Sequence, residues 1–178
     1  MAAIVASSSS TPTIAVITAS SNTGAACVQE LLGDKLQDRW AEIRACFRTE
    51  AKAAPLRDQC KDKSNVSIVV GVDACKPETL ATSFEGVDVA VIVTPLDYSR
   101  GMSDDAQLTI NMVNAAYEAG VSHVVYVGSW TVNAPDGVPM LATRFAPTEA
   151  RLVELSKAGD DKAARKMGYT FLRSGYFM

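Results

Sequence analysis

The fold is decided by the stretch Ile14-Ala-Val-Ile17 followed by Thr18-Ala-Ser-Ser-Asn-Thr-Gly24. The first part is short, rich in β-branched residues and apolar on both faces, which predicts a strand covered on both sides by helices. The second part contains only small or turn-forming residues. Apolar residues then recur at helical spacing up to Gly33, which predicts a helix over Gly24–Leu32. A strand, a small-residue turn and a helix form the repeating unit of α/β sheets.

Apolar runs continue to alternate with helical patterns along the rest of the chain. Five more runs are typical of buried strands: Ile43–Phe47, Val66–Val72, Val87–Val93, His123–Val127 and Tyr169–Leu172. The helical patterns lie at Asp104–Ala119 and Thr148–Lys157, with Lys162–Met167 extending or following the second. Right-handed β-α-β crossovers follow from this order. The sequence therefore predicts a Rossmann-like α/β fold, a doubly wound parallel sheet of about six strands with helices on both faces.

Composition and charge restrict the class of protein. The 178 residues carry 17 Lys+Arg against 20 Asp+Glu, a net charge of −3, and 48% are hydrophobic. An acidic chain of this kind argues against general nucleic-acid binding and against a polybasic membrane anchor. No apolar run approaches the roughly 20 residues that span a bilayer. We expect a flexible N-terminal tail over residues 1–12, which lacks the features of a signal peptide, and one domain over residues 13–178.

The cysteines and the single histidine give no indication of a disulfide framework or a metal site. Cys27, Cys46, Cys60 and Cys75 are widely spaced in mostly apolar contexts, which favours buried or half-buried free thiols over disulfides or zinc ligands. The single histidine, His123, begins an apolar run and is expected to be structural. These features predict a cytoplasmic protein without a metal site.

The turn Thr18–Gly24 is the best candidate for a functional site. Small residues let backbone N–H groups and a helix N-terminus approach a pyrophosphate, and we expect Asn22 or Thr23 to cap the helix. A glycine pattern spaced by three would place glycine at 18, 21 and 24, but only Gly24 is present. The hydroxyls of Thr18 and Ser21 replace the lost contacts, or the cofactor is displaced. An ordinary turn of small residues is the alternative.

Five ordered segments resemble the NmrA-like branch of the atypical short-chain dehydrogenases/reductases, over about residues 13–178. Ala19-Ser-Ser-Asn-Thr-Gly24 resembles the nucleotide turn of that branch, and Arg44-Ala-Cys-Phe-Arg48 its second strand. The other three segments resemble its third, fifth and sixth strands with their flanks: Gly71-Val-Asp73 continuing to Asp88, Ala119-Gly-Val-Ser-His-Val-Val-Tyr-Val-Gly-Ser129, and Tyr169-Thr-Phe-Leu-Arg-Ser-Gly-Tyr-Phe-Met178.

The resemblance implies a dinucleotide, NADP with NAD as an alternative. The residues that it assigns to the cofactor are Thr18, Ser20, Ser21, Asn22, Thr23, Gly24, Arg48, Asp73, Thr94, Pro95 and Ser129. Arg48 at the end of the second strand favours the 2′-phosphate of NADP, whereas Glu50 would favour NAD if the loop folded differently. Asp73 is placed near the adenine or caps the next helix. Thr94 and Pro95 border the cleft or form an ordinary turn.

The resemblance leaves the catalytic apparatus incomplete. Ser129 occupies the position at which related reductases keep a serine facing the nicotinamide, and it is our candidate catalytic residue. Short-chain dehydrogenases also use a Tyr-x-x-x-Lys pair, which does not occur anywhere in this sequence. Tyr98, Arg100 and Trp130 follow predicted strands at the same edge, where they line a substrate pocket or only pack.

Two functions therefore compete. One is an NADP-dependent oxidoreductase that transfers hydride to a small carbonyl, quinone or alkene compound, with water or Ser129 supplying the proton. The other is a non-catalytic dinucleotide-binding sensor that acts through a protein partner, and a scaffold without cofactor is a third possibility. Family members usually continue into a substrate lobe, whereas this sequence ends at Met178. We expect a natural short form, a truncated product or a fragment, each lacking most of that lobe.

Overall fold

Six parallel strands form the centre of the computed structural model, which describes residues 11–95, 101–133, 139–158 and 166–175. The strands are β1 (Thr13–Ile17), β2 (Glu42–Phe47), β3 (Val66–Val70), β4 (Val89–Val93), β5 (His123–Ser129) and β6 (Gly168–Ser174). Their order across the sheet is β3-β2-β1-β4-β5-β6, and every pair is parallel. The predicted doubly wound sheet is confirmed, with its reversal of strand order between β1 and β4.

Within the described ranges, five helices connect these strands. They are α1 (Asn22–Leu32), α2 (Glu50–Gln59), α3 (Ala81–Phe84), α4 (Met102–Glu118) and α5 (Pro139–Ala158). Single 3₁₀ turns lie at Pro77–Thr79 and Trp130–Asn133.

Alternate residues of the central strands belong to two separate cores, as the predicted covering of both faces requires. In β1, Ile17 packs with residues of α3, α4 and α5, whereas its neighbour Val16 packs with α1 and α2. The same division separates Ile92 from Val91 in β4. Each strand is therefore apolar at consecutive positions because each of its faces meets a different layer of helices.

The sequence prediction erred mainly in two helices. Helix α2 was not predicted, because it contains Pro55 and because only two of its residues, Ala53 and Leu56, are buried. Helix α5 begins at Pro139 rather than Thr148 and contains Pro147, a residue that is usually unfavourable inside a helix. Lys166 and Met167 are not helical. Residues 1–10 of the predicted tail, residues 162–165, Tyr98 and Arg100 lie outside the described residues.

A buried ion pair connects the two helices that cover β4 and β5. The guanidinium of Arg144 on α5 lies 2.8 Å from the carboxylate of Asp105 in the first turn of α4. The Asp105 side chain is fully buried and that of Arg144 is 10% exposed. Because neither charge can be solvated by water if its partner is removed, the pair makes the packing of α4 against α5 specific.

We expect Asp105→Asn to lower the free energy of unfolding by about 3–5 kcal/mol, because it leaves the buried Arg144 charge uncompensated. Urea denaturation measures this change. The control is Glu50→Gln, which removes the partner of Arg57 in an ion pair whose side chains are 61% and 48% exposed. That substitution should cost at most about 1 kcal/mol. Equal losses in the two variants would contradict the role of the buried pair.

Candidate functional site

The main cleft of the described structure lies at the carboxyl edge of the sheet, where the strand order reverses. It has a volume of about 850 Å³, and such a reversal is where open α/β sheets bind ligands. Most of the residues that the sequence assigned to a dinucleotide line it. They are Thr18, Ser20, Ser21, Asn22, Thr23, Arg48, Asp73, Thr94 and Pro95.

Thr18 begins the turn after β1 in an uncommon backbone conformation. Its φ of +61° is the only positive value at a non-glycine residue in the described part of the chain, and a β-branched residue adopts it only under strain. The Thr18 hydroxyl is within hydrogen-bond distance of two carbonyl oxygens, that of Ile17 at 2.5 Å and that of Val93 at 3.0 Å. The side chain at this non-glycine position thus joins the ends of β1 and β4 across the switch point.

Ser21, not Asn22 or Thr23, caps helix α1. Its hydroxyl oxygen accepts a hydrogen bond of 3.0 Å from the backbone N–H of Gly24. The helix therefore begins at Asn22, two residues earlier than predicted. The N–H groups of Asn22 and Thr23 are in the first turn and have no intrahelical acceptor, so this end of α1 presents donors and a positive dipole end to the cleft.

Gly24 permits the turn to approach the helix closely. A Cβ atom at this position would clash with the carbonyl oxygen of Thr18 and would lie 3.1 Å from the Cα of Ala19. These are backbone atoms, which a side-chain rotation cannot move away. The glycine retained from the three-glycine pattern is therefore the one that the local geometry requires.

Two basic residues stand at the cleft after β2. Arg48 follows the strand directly, and Lys52 lies in the first turn of α2. Glu50 is paired with Arg57, whose Nε and Nη2 lie 2.9 and 3.1 Å from the two carboxylate oxygens. Lys52 was not among the predicted site residues, because its place beside the cleft depends on helix α2, which the sequence pattern does not indicate.

Asp73 lines the cleft beyond β3, and it stabilises a turn rather than capping a helix. Its carboxylate accepts from the N–H of Cys75 at 3.0 Å, and the Thr79 hydroxyl oxygen accepts from its N–H. The 3₁₀ turn that follows begins after Lys76, so the predicted capping role is wrong. The alternative, a position near the adenine, stays a prediction.

Thr94 forms the floor of the cleft after β4 and is 5% exposed. Its hydroxyl oxygen lies 2.9 Å from the phenol oxygen of Tyr126, a fully buried residue of β5. Burial raises the pKa of Tyr126 to about 12. This tyrosine therefore lies beneath the cleft as a neutral phenol and does not replace the tyrosine of a Tyr-x-x-x-Lys pair.

Ser129 ends β5 at the same sheet edge, one strand beyond β4, and is paired in register with Ser174 of β6. Ser129 is half-buried and is not among the residues that line the 850 Å³ cleft. Trp130 follows it and is 42% exposed. His123, in contrast, begins β5 at the opposite edge, where its Nε2 lies 2.9 Å from the Thr170 hydroxyl.

The remaining chemistry of the described residues is limited. None of the four cysteines forms a disulfide, and Cys75 is exposed, contrary to the expectation of burial, because it lies in the turn stabilised by Asp73. Burial raises the pKa of Cys46 to about 12, so this thiol beside the cleft is unreactive at neutral pH. Across the described ranges, no group of three His, Cys, Asp or Glu residues could hold a metal ion, and no helix is long and apolar enough to cross a membrane.

Comparison with protein families gives one match that covers most of the chain. The sequence profile of a family described as NAD(P)H-binding matches residues 19–178. No curated protein sequence is significantly similar to this chain.

Solved structures share the fold over nearly the whole chain. A Citrobacter sp. triphenylmethane reductase complexed with NADP(H) is 25% identical, with a TM-score of 0.73 over 93% of this chain and 50% of its own. An Escherichia coli NADPH-dependent quinone oxidoreductase complexed with NADPH is 23% identical, with a TM-score of 0.70 over 92% and 49%. NmrA, a negative transcriptional regulator, is 20% identical, with a TM-score of 0.68 over 94% and 47%. The chain spans about half the length of these proteins.

We expect Gly24→Ala to destabilise the protein by about 1–3 kcal/mol, the usual cost of overpacking, because the added methyl group displaces backbone. Urea denaturation provides the measurement. Gly101→Ser is the matched control, because a Cβ there meets only the Ser103 hydroxyl at 3.6 Å and serine is a good residue at the start of a helix. Unchanged stability in Gly24→Ala would show that the turn does not depend on close approach.

Proposed function

This chain belongs to the NAD(P)H-binding family, and from that premise we propose that its cofactor is NADPH and that it acts as a reductase of a small carbonyl, quinone or alkene compound. The observation that carries the proposal is the convergence of the α1 N-terminus and two cations on one cleft at the strand reversal. The relation to the NmrA-like branch, predicted from sequence motifs, is confirmed at the level of family and fold.

The residues present fit a dinucleotide. The N–H groups of Asn22 and Thr23 would hold the pyrophosphate, since a helix N-terminus binds anions through such donors. Gly24 supports this placement, because the tight packing that it permits keeps the turn free of larger side chains. The cleft volume of about 850 Å³ lies within the range of small-molecule and cofactor sites.

NADPH is favoured over NADH by the charges that follow β2. Arg48 and Lys52 line the cleft and would bind the 2′-phosphate through charge-assisted hydrogen bonds. A carboxylate in this position would favour the ribose hydroxyl of NAD. The sequence places one carboxylate close to this position, that of Glu50, but it is hydrogen-bonded to Arg57. Its pairing weakens the case for NAD as the cofactor.

We expect Arg48→Glu to weaken NADPH binding at least about tenfold while leaving NADH binding nearly unchanged, because only NADPH carries the phosphate that the new carboxylate repels. Titration calorimetry or the rise in melting temperature with each cofactor measures this, since a ligand of the folded state raises its stability.

Arg39→Glu is the matched control for this variant. Arg39 is exposed and precedes β2, at the edge of the sheet opposite the cleft, and its replacement should leave both affinities unchanged. An unaltered preference in Arg48→Glu would refute the assignment of the 2′-phosphate. If the native chain bound neither cofactor, the proposal of NADPH binding itself would fail.

In such a reduction the cofactor, when bound, would supply the hydride for an electrophilic carbon of the substrate. The proton that completes the reduction must come from the protein or from water, and Ser129 at the end of β5 is the residue that we assign to this donation. The role agrees with its place at the carboxyl edge, beside the strand that carries Thr94.

Ser129→Ala should lower kcat for quinone reduction about tenfold or more, since general acid catalysis contributes at least that much, and should leave the dissociation constant of NADPH unchanged. Stopped-flow absorbance of NADPH oxidation and a separate binding titration give the two values. Ser122→Ala serves as the control, because Ser122 precedes β5 at the opposite edge and donates to the Asp88 carbonyl. A kcat equal to that of the native chain would assign the proton to water.

The second candidate is a non-catalytic NADPH sensor that acts through a protein partner. The absence of any Tyr-x-x-x-Lys pair from the sequence favours it, since the usual proton donor of short-chain dehydrogenases is missing. NADPH binding without oxidation in the presence of quinones and triphenylmethane dyes would support the sensor. Turnover of either class would support the reductase. The cytoplasmic location stays a prediction.

A further inference from the structure

Thr94 connects the dinucleotide cleft to a set of buried hydroxyl groups. It lines the cleft after β4 but is only 5% exposed, so most of its side chain faces the interior between the sheet and α4. There its hydroxyl oxygen lies 2.9 Å from the Tyr126 phenol and 3.3 Å from the Thr109 hydroxyl. Both neighbours are completely buried.

The position of the Tyr126 phenol is determined by packing. Its ring meets Phe171 edge-on, at 6.5 Å between centroids and an interplanar angle of 85°. On another side it lies against Gly128, where a Cβ atom would come within 3.2 Å of the ring. A ring held on two sides in this way keeps its oxygen beside Thr94 without help from solvent.

The protons of these three hydroxyls can be assigned from the distances. Thr109 lies 2.9 Å from the carbonyl oxygen of Asp105, one turn back on α4, and donates its single proton there. The Tyr126 phenol also lies beside the buried Thr148 hydroxyl, which has no other partner among the described residues and donates to the phenol oxygen. Because the phenol is a stronger acid than an aliphatic hydroxyl, its own proton goes to Thr94. In the 3.3 Å contact of Thr109 with Thr94 the geometry makes Thr94 the acceptor, so the proton of Thr94 is directed to the cleft.

We propose that Tyr126 is a positioning residue that donates to Thr94 and thereby directs the Thr94 proton into the cleft, toward an acceptor oxygen on the nicotinamide half of the dinucleotide. Thr109 does not compete for this proton, because its hydroxyl faces Thr94 as a donor, so a ligand oxygen at ordinary hydrogen-bond distance can accept it. This inference rests on the proposed function, since it needs a dinucleotide in the cleft.

The nicotinamide half is identified by strand order. Arg48 follows β2, which lies on one side of β1, and Thr94 follows β4, which lies on the other. With the 2′-phosphate at Arg48 and the pyrophosphate at the turn after β1, the opposite end of the dinucleotide extends over β4. Burial supports the donor role, because the raised pKa of Tyr126, about 12, keeps the phenol protonated throughout the physiological range.

The test compares two probes, NADPH and adenosine 2′,5′-bisphosphate, by titration calorimetry. The second probe carries the adenosine and the 2′-phosphate but no nicotinamide half. We expect Tyr126→Phe, which retains the packed ring, to weaken NADPH binding about three- to tenfold, the effect of one neutral hydrogen bond, and to leave the bisphosphate unaffected. Thr94→Val should act in the same way, and the double variant should bind NADPH no more weakly than Thr94→Val alone.

Tyr169→Phe is the control, because this tyrosine stacks on Phe171 at 4.7 Å in the same aromatic group and should bind both probes normally. An equal loss for both probes in Tyr126→Phe would show a general structural role and overturn the inference. Unchanged NADPH binding in Tyr126→Phe would also overturn the inference, but it would leave the proposed function standing. If the native chain bound neither probe, both would fall.

Discussion

The close approach of helix α1 to the end of β1 is the constraint on which the site depends. Gly24 lies so near the Thr18 carbonyl that no side chain fits between them, and this contact places the first turn of the helix at the strand reversal. The cap by Ser21 then satisfies the Gly24 N–H and leaves the preceding donors directed at the cleft. Of the three positions of the glycine pattern, Gly24 is the one that leaves no room for a Cβ atom. Thr18 adopts the positive φ that glycine favours and is strained there, and Ser21 supplies the cap.

The architecture could be predicted because burial on both faces leaves consecutive apolar residues in every central strand, as Val16 and Ile17 show. Helices α2 and α5 could not be delimited, because Pro55 and Pro147 lie inside them and local pattern treats proline as a boundary. Tertiary packing outweighs that cost when the helix covers a sheet. Omitting α2 also concealed Lys52, since a residue's position beside Arg48 follows only from the helix that carries it.

Most of the residues assigned to the cofactor from sequence lie at one cleft because they follow strands, and their role in binding stays a prediction. Parallel strands bring their carboxyl ends to one edge, so Arg48, Asp73 and Thr94 meet at a single cleft although they are distant in the chain. Roles that depend on side-chain partners could not be predicted in this way. That Glu50 pairs with Arg57, and that Asp73 stabilises the turn at Cys75 instead of a helix, are consequences of loop conformations that strand periodicity does not describe.

Polar burial is concentrated on the side of the sheet covered by α4 and α5. The Asp105–Arg144 pair joins these two helices, and Thr109, one turn after Asp105, joins α4 to the hydroxyls of Thr94 and Tyr126. Buried polar groups are costly unless each has a partner, so such a network permits few alternative packings. Thr94 belongs to this network and also reaches the cleft. The network therefore restricts the position of a hydroxyl at the edge where the nicotinamide half would lie.

The opposite face of the sheet, covered by α1 and α2, contributes charge through Lys52 at its rim but no comparable interior network among the residues described. In the proposed function, recognition of the dinucleotide would therefore rest on charge after β2 and on the Thr94 hydroxyl after β4.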